Sequence, residues 1–125
     1  MSDPALAREI PHQIYKSTER ILWRFEPIER SEDFISSETG LEKLDAICMQ
    51  LIAIGEAVKN LDKVTERELL PKYPMIDWKR VMGMRDVLSH HYFDLDPEIV
   101  YSVCKNHIGP LRATVQEMMA QPGSP

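Results

Sequence analysis

The sequence predicts an all-α protein, an antiparallel up-and-down bundle of four main helices with short helical turns between them. Three observations carry this expectation. Apolar residues recur at spacings of three and four along four separate stretches. Leu, Ile, Glu, Lys, Arg and Met abound while aromatics make up only 7% of the 125 residues, a balance that favours helix over strand. Residues that open or stop helices stand at the ends of the periodic stretches: Pro4, Pro27, Asp77 and the pair Asp96-Pro97. No internal repeat and no strand pair is visible.

The first helix is expected from Pro4 to about Glu26, with Ile10, Ile14, Ile21, Leu22 and Phe25 on one broad face. Pro4 suits a first turn, and Pro27 stops the run because the residue before a proline avoids the α region. The stretch IERSEDFISSETG reads as a connector with one turn of helix. The second helix covers roughly Gly40 to Leu61, where Leu41, Leu44, Cys48, Leu51, Gly55 and Val58 form a heptad-like seam. Ile47, Ile54 and Leu61 add a second apolar line. So wide an apolar surface predicts the central helix, buried on more than one side. Between Leu61 and Met75 the pattern breaks. Asp77 then caps a third helix from Trp78 to about Tyr92, and Asp96-Pro97 opens the last. The core line of that last helix is Tyr101, Cys104, Ile108, Leu111, Val115 and Met118, with a kink expected at Gly109-Pro110. Residues 1–120 thus read as one helical domain, and 121–125 as a disordered tail.

An apolar fraction of 43% supports a single core, and 28% charged residues in so mixed a sequence argues against disorder. Cys48 and Cys104 both sit in apolar periodic segments, so they read as small buried hydrophobes rather than a disulfide or metal pair. Metal spacing is missing elsewhere too, and the expectation is no metal and no cofactor. The N-terminus lacks a signal-peptide pattern and no apolar run would span a bilayer, which predicts a soluble, cytoplasmic protein without a membrane partner. A net charge of −5 argues against a surface coated for bulk nucleic-acid binding, but not against a local basic site.

The third helix carries the densest chemistry, in the run MRDVLSHHYFD at 84–94. At about 100° per residue, Val81, Met84 and Leu88 share an apolar stripe. Beside it runs a polar sector from Arg85 through Asp86 to His90, with Lys79 below and Gly83 removing side-chain bulk in the same sector. Asp86 and His90, four apart, can hydrogen-bond, which would orient the imidazole. Tyr92 would return above Arg85 if the helix reaches it. The plain alternative is the solvated face of an amphipathic helix, its histidines near the helix end where cations suit the dipole. Spacing alone leaves both readings open.

The string RDVLSHHY resembles the R-x4-6-H motif of the HEPN superfamily, and R-x4-H-x-Y is similar to its HepT-like toxin branch. LIAIGEAVKNL resembles the branch's I-G-E-A signature, YPMIDWKRVMGMRD its approach to the motif, and DPEIVYSV with IGPL its last helix. The similarity runs from about Ile10 to Met119. It implies a HEPN-like bundle that homodimerises and brings two motifs together, acting on RNA as a metal-independent ribonuclease. It also implies a cognate MntA-like nucleotidyltransferase antitoxin, which neutralises the toxin by adding AMP to the motif tyrosine, Tyr92.

On that footing Arg85, Asp86 and His90 are the catalytic candidates. RNA can be cut without metal if a base takes the 2′-hydroxyl proton and a cation stabilises the pentavalent phosphate. His90 suits the first task and Arg85 the second, with Asp86 orienting one of them. His91 offers a second ring, but spacing to Arg85 and Tyr92 favours His90. Lys79 and Arg80 would hold flanking phosphates. Glu56 has two readings: a charge at the edge of the helix seam, or a partner that fixes the rotamer of Arg85. The alternative to the toxin is a non-catalytic helical adaptor that binds the nucleotidyltransferase through the same polar sector.

Overall fold

The computed structural model describes residues 3–90 and 92–121, and of His90 and Tyr92 it describes the backbone. Helix α1 spans Pro4–Phe25, opened by Asp3, whose carboxylate accepts from the Leu6 N–H at 3.2 Å. Its buried stripe is Ala7, Ile10, Ile14, Thr18 and Ile21. Thr18 tolerates full burial because its hydroxyl donates to the Tyr15 carbonyl at 2.6 Å. The helix runs on through Pro11, to which apolar spacing assigns no part. That ring is buried, and what it removes is the N–H that the Ala7 carbonyl would otherwise accept.

Helix α2, Glu38–Val64, extends beyond the apolar run at both ends. Ser37 caps it, its hydroxyl accepting from the Gly40 N–H at 3.0 Å. Its central place holds as expected: it packs against α1 on one side and α3 on another. Ile47, Leu51, Ile54, Val58 and Leu61 are 1% exposed or less, and burying each such side chain contributes about 1.5–3 kcal/mol. The Asp3 N–H donates to the Val64 carbonyl at 3.1 Å, so the start of α1 meets the end of α2 and the two run antiparallel.

Two further hydrogen bonds close α2. The Glu66 N–H reaches the Lys63 carbonyl and the Arg67 N–H the Asp62 carbonyl, the paired pattern of a Schellman cap. Glycine usually supplies the left-handed residue there. Here Glu66 and Arg67 adopt it, with φ of 54° and 61°. The segment that follows breaks the helical pattern but is not loose. A 3₁₀ turn at Leu70–Lys72 is flanked by buried Leu69 and Tyr73, and the Trp78 indole donates to the Tyr73 carbonyl at 2.9 Å.

Helix α3, Trp78–His90, starts where Asp77 accepts from the Arg80 N–H at 3.2 Å. Leu88 is buried while Val81 and Met84 are half-buried, giving the expected stripe. The helix ends at His90 and a 3₁₀ turn, Tyr92–Asp94, follows, so the ideal-helix position assigned to Tyr92 does not apply.

The last helix is two: α4 at Pro97–Asn106 and α5 at Ile108–Met119. Asp96 caps α4 through the Glu98 N–H at 2.9 Å. Instead of a kink at Gly109-Pro110 the chain breaks at His107 and begins again. Pro110 then falls in a first turn, where its missing N–H has no helical acceptor to lose. The core line is otherwise as expected, with Cys104, Ile108, Leu111, Val115 and Met118 buried and Tyr101 half-buried. α5 lies along α1, the Arg112 guanidinium sitting 4.7 Å from the centre of the Tyr15 ring. α4 covers a 3₁₀ turn at Ser31–Phe34, whose Phe34 is fully buried. The protein is therefore an all-helical bundle, without strand among the described residues. None of its helices is long and apolar enough to cross a membrane among those residues. The expected tail lies, past Gln121, outside the described residues.

Candidate functional site

Gly55 decides where the polar sector of α3 stands. A Cβ added there would lie 3.1 Å from the Val81 carbonyl oxygen and 3.3 Å from the Arg85 backbone nitrogen. The bare glycine lets α3 come down on α2 at Arg85, one residue from Glu56. Glu56 Oε1 forms an ion pair with Arg85 Nε at 2.6 Å, the pairing that one of the two readings of this glutamate expects. Arg85 Nη1 also donates to Asp86 at 3.1 Å. Both ion pairs are half-exposed, and pairs of that kind add only about 0–1 kcal/mol to stability. Their effect is geometric. Two carboxylates on different helices hold a planar guanidinium by its Nε and one terminal nitrogen.

Arg85 stands at the rim of an open groove of about 1180 Å³. The second half of α2 forms its floor, Gln13 of α1 and Met82 of α3 flank it, and the α2 cap with Arg67 bounds it. Glu56 and Arg85 both line it, as do Lys59 and Lys63. Lys79 and Arg80 are exposed in the first turn of α3 and are not among its lining residues. The cations that share a groove with Arg85 come instead from α2. Apolar periodicity hides these residues, because it weighs the buried face and they lie on the opposite one. The i, i+4 repeat Lys59-Lys63-Arg67 was the available signal.

His90 occupies the last position of α3, one turn and one residue beyond Arg85. Its imidazole, and with it the expected bond to Asp86, lies outside the described side chains, as does the Tyr92 phenol. His91 lies outside the described residues altogether. A Cβ added to Gly83 would meet nothing within 4 Å among the described residues, so none of them uses the room that glycine leaves. Cys48 and Cys104 are buried free thiols, as expected.

The family model described as Ribonuclease HepT-like matches residues 14–118. Among curated proteins, the chain is 40% identical over 63 residues to "Putative RNase MJ0127" of Methanocaldococcus jannaschii, covering 50% of this chain and 49% of that one. It is 38% identical over 74 residues to "Putative RNase TTE0752" of Caldanaerobacter subterraneus subsp. tengcongensis, covering 59% and 62%. To "Probable ribonuclease HepT" of Thermococcus cleftensis it is 32% identical over 73 residues, covering 58% and 63%. The chain thus spans about half to two thirds of the length of these curated relatives. No solved structure matches.

Proposed function

This chain belongs to the Ribonuclease HepT-like family of HEPN proteins, and from that premise we propose that it is a metal-independent endoribonuclease whose site forms where two copies meet. His90 takes the proton of a 2′-hydroxyl, and the 2′-oxygen attacks the adjacent phosphorus. The bond to the 5′-oxygen breaks, and that oxygen receives a proton from the second copy's motif histidine. Arg85 bears the charge that builds on the phosphoryl oxygens, and Asp86 holds Arg85 from the side away from Glu56. The observation that carries this reading is the hold on Arg85. Its guanidinium is gripped at Nε and Nη1 on the rim of an open groove, which leaves Nη2 for a phosphate.

The same reading makes the chain the toxin of a toxin–antitoxin pair in the cytoplasm, with an MntA-like nucleotidyltransferase as antitoxin. Neutralisation proceeds by transfer of AMP. The Tyr92 phenol oxygen attacks the α-phosphorus of ATP, pyrophosphate leaves, and a bulky anion then stands two residues from His90. AMP found on another residue while activity is still suppressed would sink that part.

The test is cleavage of total cellular RNA by the chain produced without any nucleotidyltransferase, beside His90→Ala and with a chelator present. Cleavage that survives the chelator and disappears in His90→Ala supports the ribonuclease. An intact, unmodified dimer that leaves RNA whole would overturn it in favour of the adaptor, with the polar sector as a docking surface.

A further inference from the structure

The groove beside Arg85 is longer than the motif needs. From Glu56, the partner of Arg85, its floor follows α2 through Lys59 to Lys63, roughly 10 Å at the helical rise, and continues to Arg67 in the cap beyond the helix. Lys59 and Lys63 stand four residues apart, about 6 Å along one face of α2, and Arg67 follows in the left-handed cap. Small residues, Ala53 and Ala57, also line this floor, and a strand laid there meets little bulk. Of the charged side chains that line the groove, four are cations and three are carboxylates: Glu56, Asp62 and Glu66. Glu56 and Arg85 engage each other, which leaves three cations and two carboxylates. On a chain of net charge −5 this lining leans the other way.

At the far end Glu66 and Arg67 hold the left-handed conformation, at about 1–2 kcal/mol per residue. Both line the groove, so this cap puts the Arg67 guanidinium on its wall with the Glu66 carboxylate next to it in the chain.

We infer that this groove is the substrate track for single-stranded RNA, resting on the ribonuclease reading of the motif. Lys59, Lys63 and Arg67 grip successive phosphates on one side of the scissile bond, and Arg85 holds the scissile phosphate itself. These cations meet phosphate alone, so the track positions the strand without reading its bases. An open, charge-lined channel of this kind suits an unpaired strand, whose backbone can follow the helix.

The test is the binding of a fluorescein-labelled single-stranded RNA of about a dozen nucleotides, 2′-O-methylated so that it cannot be cut. Fluorescence anisotropy is followed against salt concentration for the parent chain, Lys59→Gln/Lys63→Gln, and Lys72→Gln, an exposed lysine that does not line the groove. The double variant should lower the slope of log K against log salt by about 1.4, or about 0.7 for each phosphate no longer neutralised. With a cleavable RNA it should raise KM and leave kcat nearly unchanged. Lys72→Gln should leave both readouts as they are.

If the parent binds and cuts RNA and the double variant keeps its slope and KM, the track is wrong and the ribonuclease stands. An equal loss in Lys72→Gln overturns it as well, since binding would then be diffuse. Light scattering on the same samples separates one more outcome. A double variant that loses its dimer makes the groove an interface between copies and overturns the track. Failure of the parent both to bind and to cut overturns the track together with the ribonuclease reading.

Discussion

Arg85 is worth little to the fold and a great deal to the proposed chemistry. Its partners Glu56 and Asp86 are half-exposed, so breaking either pair should change stability by no more than about 1 kcal/mol. Glu56→Gln keeps the size of the side chain and removes the charge that holds Arg85 Nε. The expected outcome is a fall in kcat of about tenfold with KM nearly constant and an unchanged urea midpoint, since misplacing a catalytic group costs rate before it costs binding. A lower midpoint with unaltered kcat would make Glu56 merely structural. Arg85→Lys should not rescue Arg85→Ala, because a point charge cannot be held at two nitrogens and still present a third.

The buried thiols set a second expectation at the same scale. Burial pushes Cys48 up from 9.0 to about 11, with Asp45 adding, and Cys104 to about 12, with Cys48 adding. Each thiol therefore holds its proton more tightly folded than unfolded. That stabilisation is complete below the unfolded value of 9.0 and is lost as pH rises toward 11 and 12. Urea midpoints measured across this range should fall with pH, and less steeply in a variant with both cysteines changed to alanine.

Among the elements, two glycines with the same local role are expected to respond in opposite ways. Gly40 lies in the first turn of α2, packed on the backbone of Asp33 and Phe34, and an added methyl would run into the Asp33 carbonyl. Gly109 lies in the first turn of α5 with nothing near it. Gly40→Ala should destabilise by about 3 kcal/mol, the upper end of overpacking costs, because backbone rather than a side chain must move. Gly109→Ala should stabilise by up to about 1 kcal/mol by narrowing the conformations open to the unfolded chain. Thermal or urea unfolding of the two variants decides both.

Taken as a whole molecule, one copy presents the groove and a single motif helix, whereas the proposed chemistry needs an acid and a base. Dilution should therefore lower specific activity as dimers part, and light scattering should show a species of twice 14.5 kDa wherever activity is full. Activity per chain that stays constant down to concentrations where only monomer scatters would place acid and base on a single copy.

Much of this fold was legible in one dimension. Spacings of three and four located α1, α2 and α3, Asp77 and Asp96 stood at helix starts where their carboxylates accept backbone N–H groups, and Arg85 to His90 lay on α3 as their pattern required. These features are local, fixed by neighbours within a turn or two of the same helix. Other features depended on where separate elements stand in space. Pro11 is carried inside α1 because the bundle buries its ring, and Leu69, Leu70 and Tyr73 join the core although their segment has no period. Gly109-Pro110 starts a helix instead of bending one. Above all, the partner of Arg85 is Glu56 on another helix, and the groove is empty space between three helices. Periodicity encodes which face of a helix is buried, but it carries no record of which exposed faces meet, and only the packing of α3 onto α2 at Gly55 decided that.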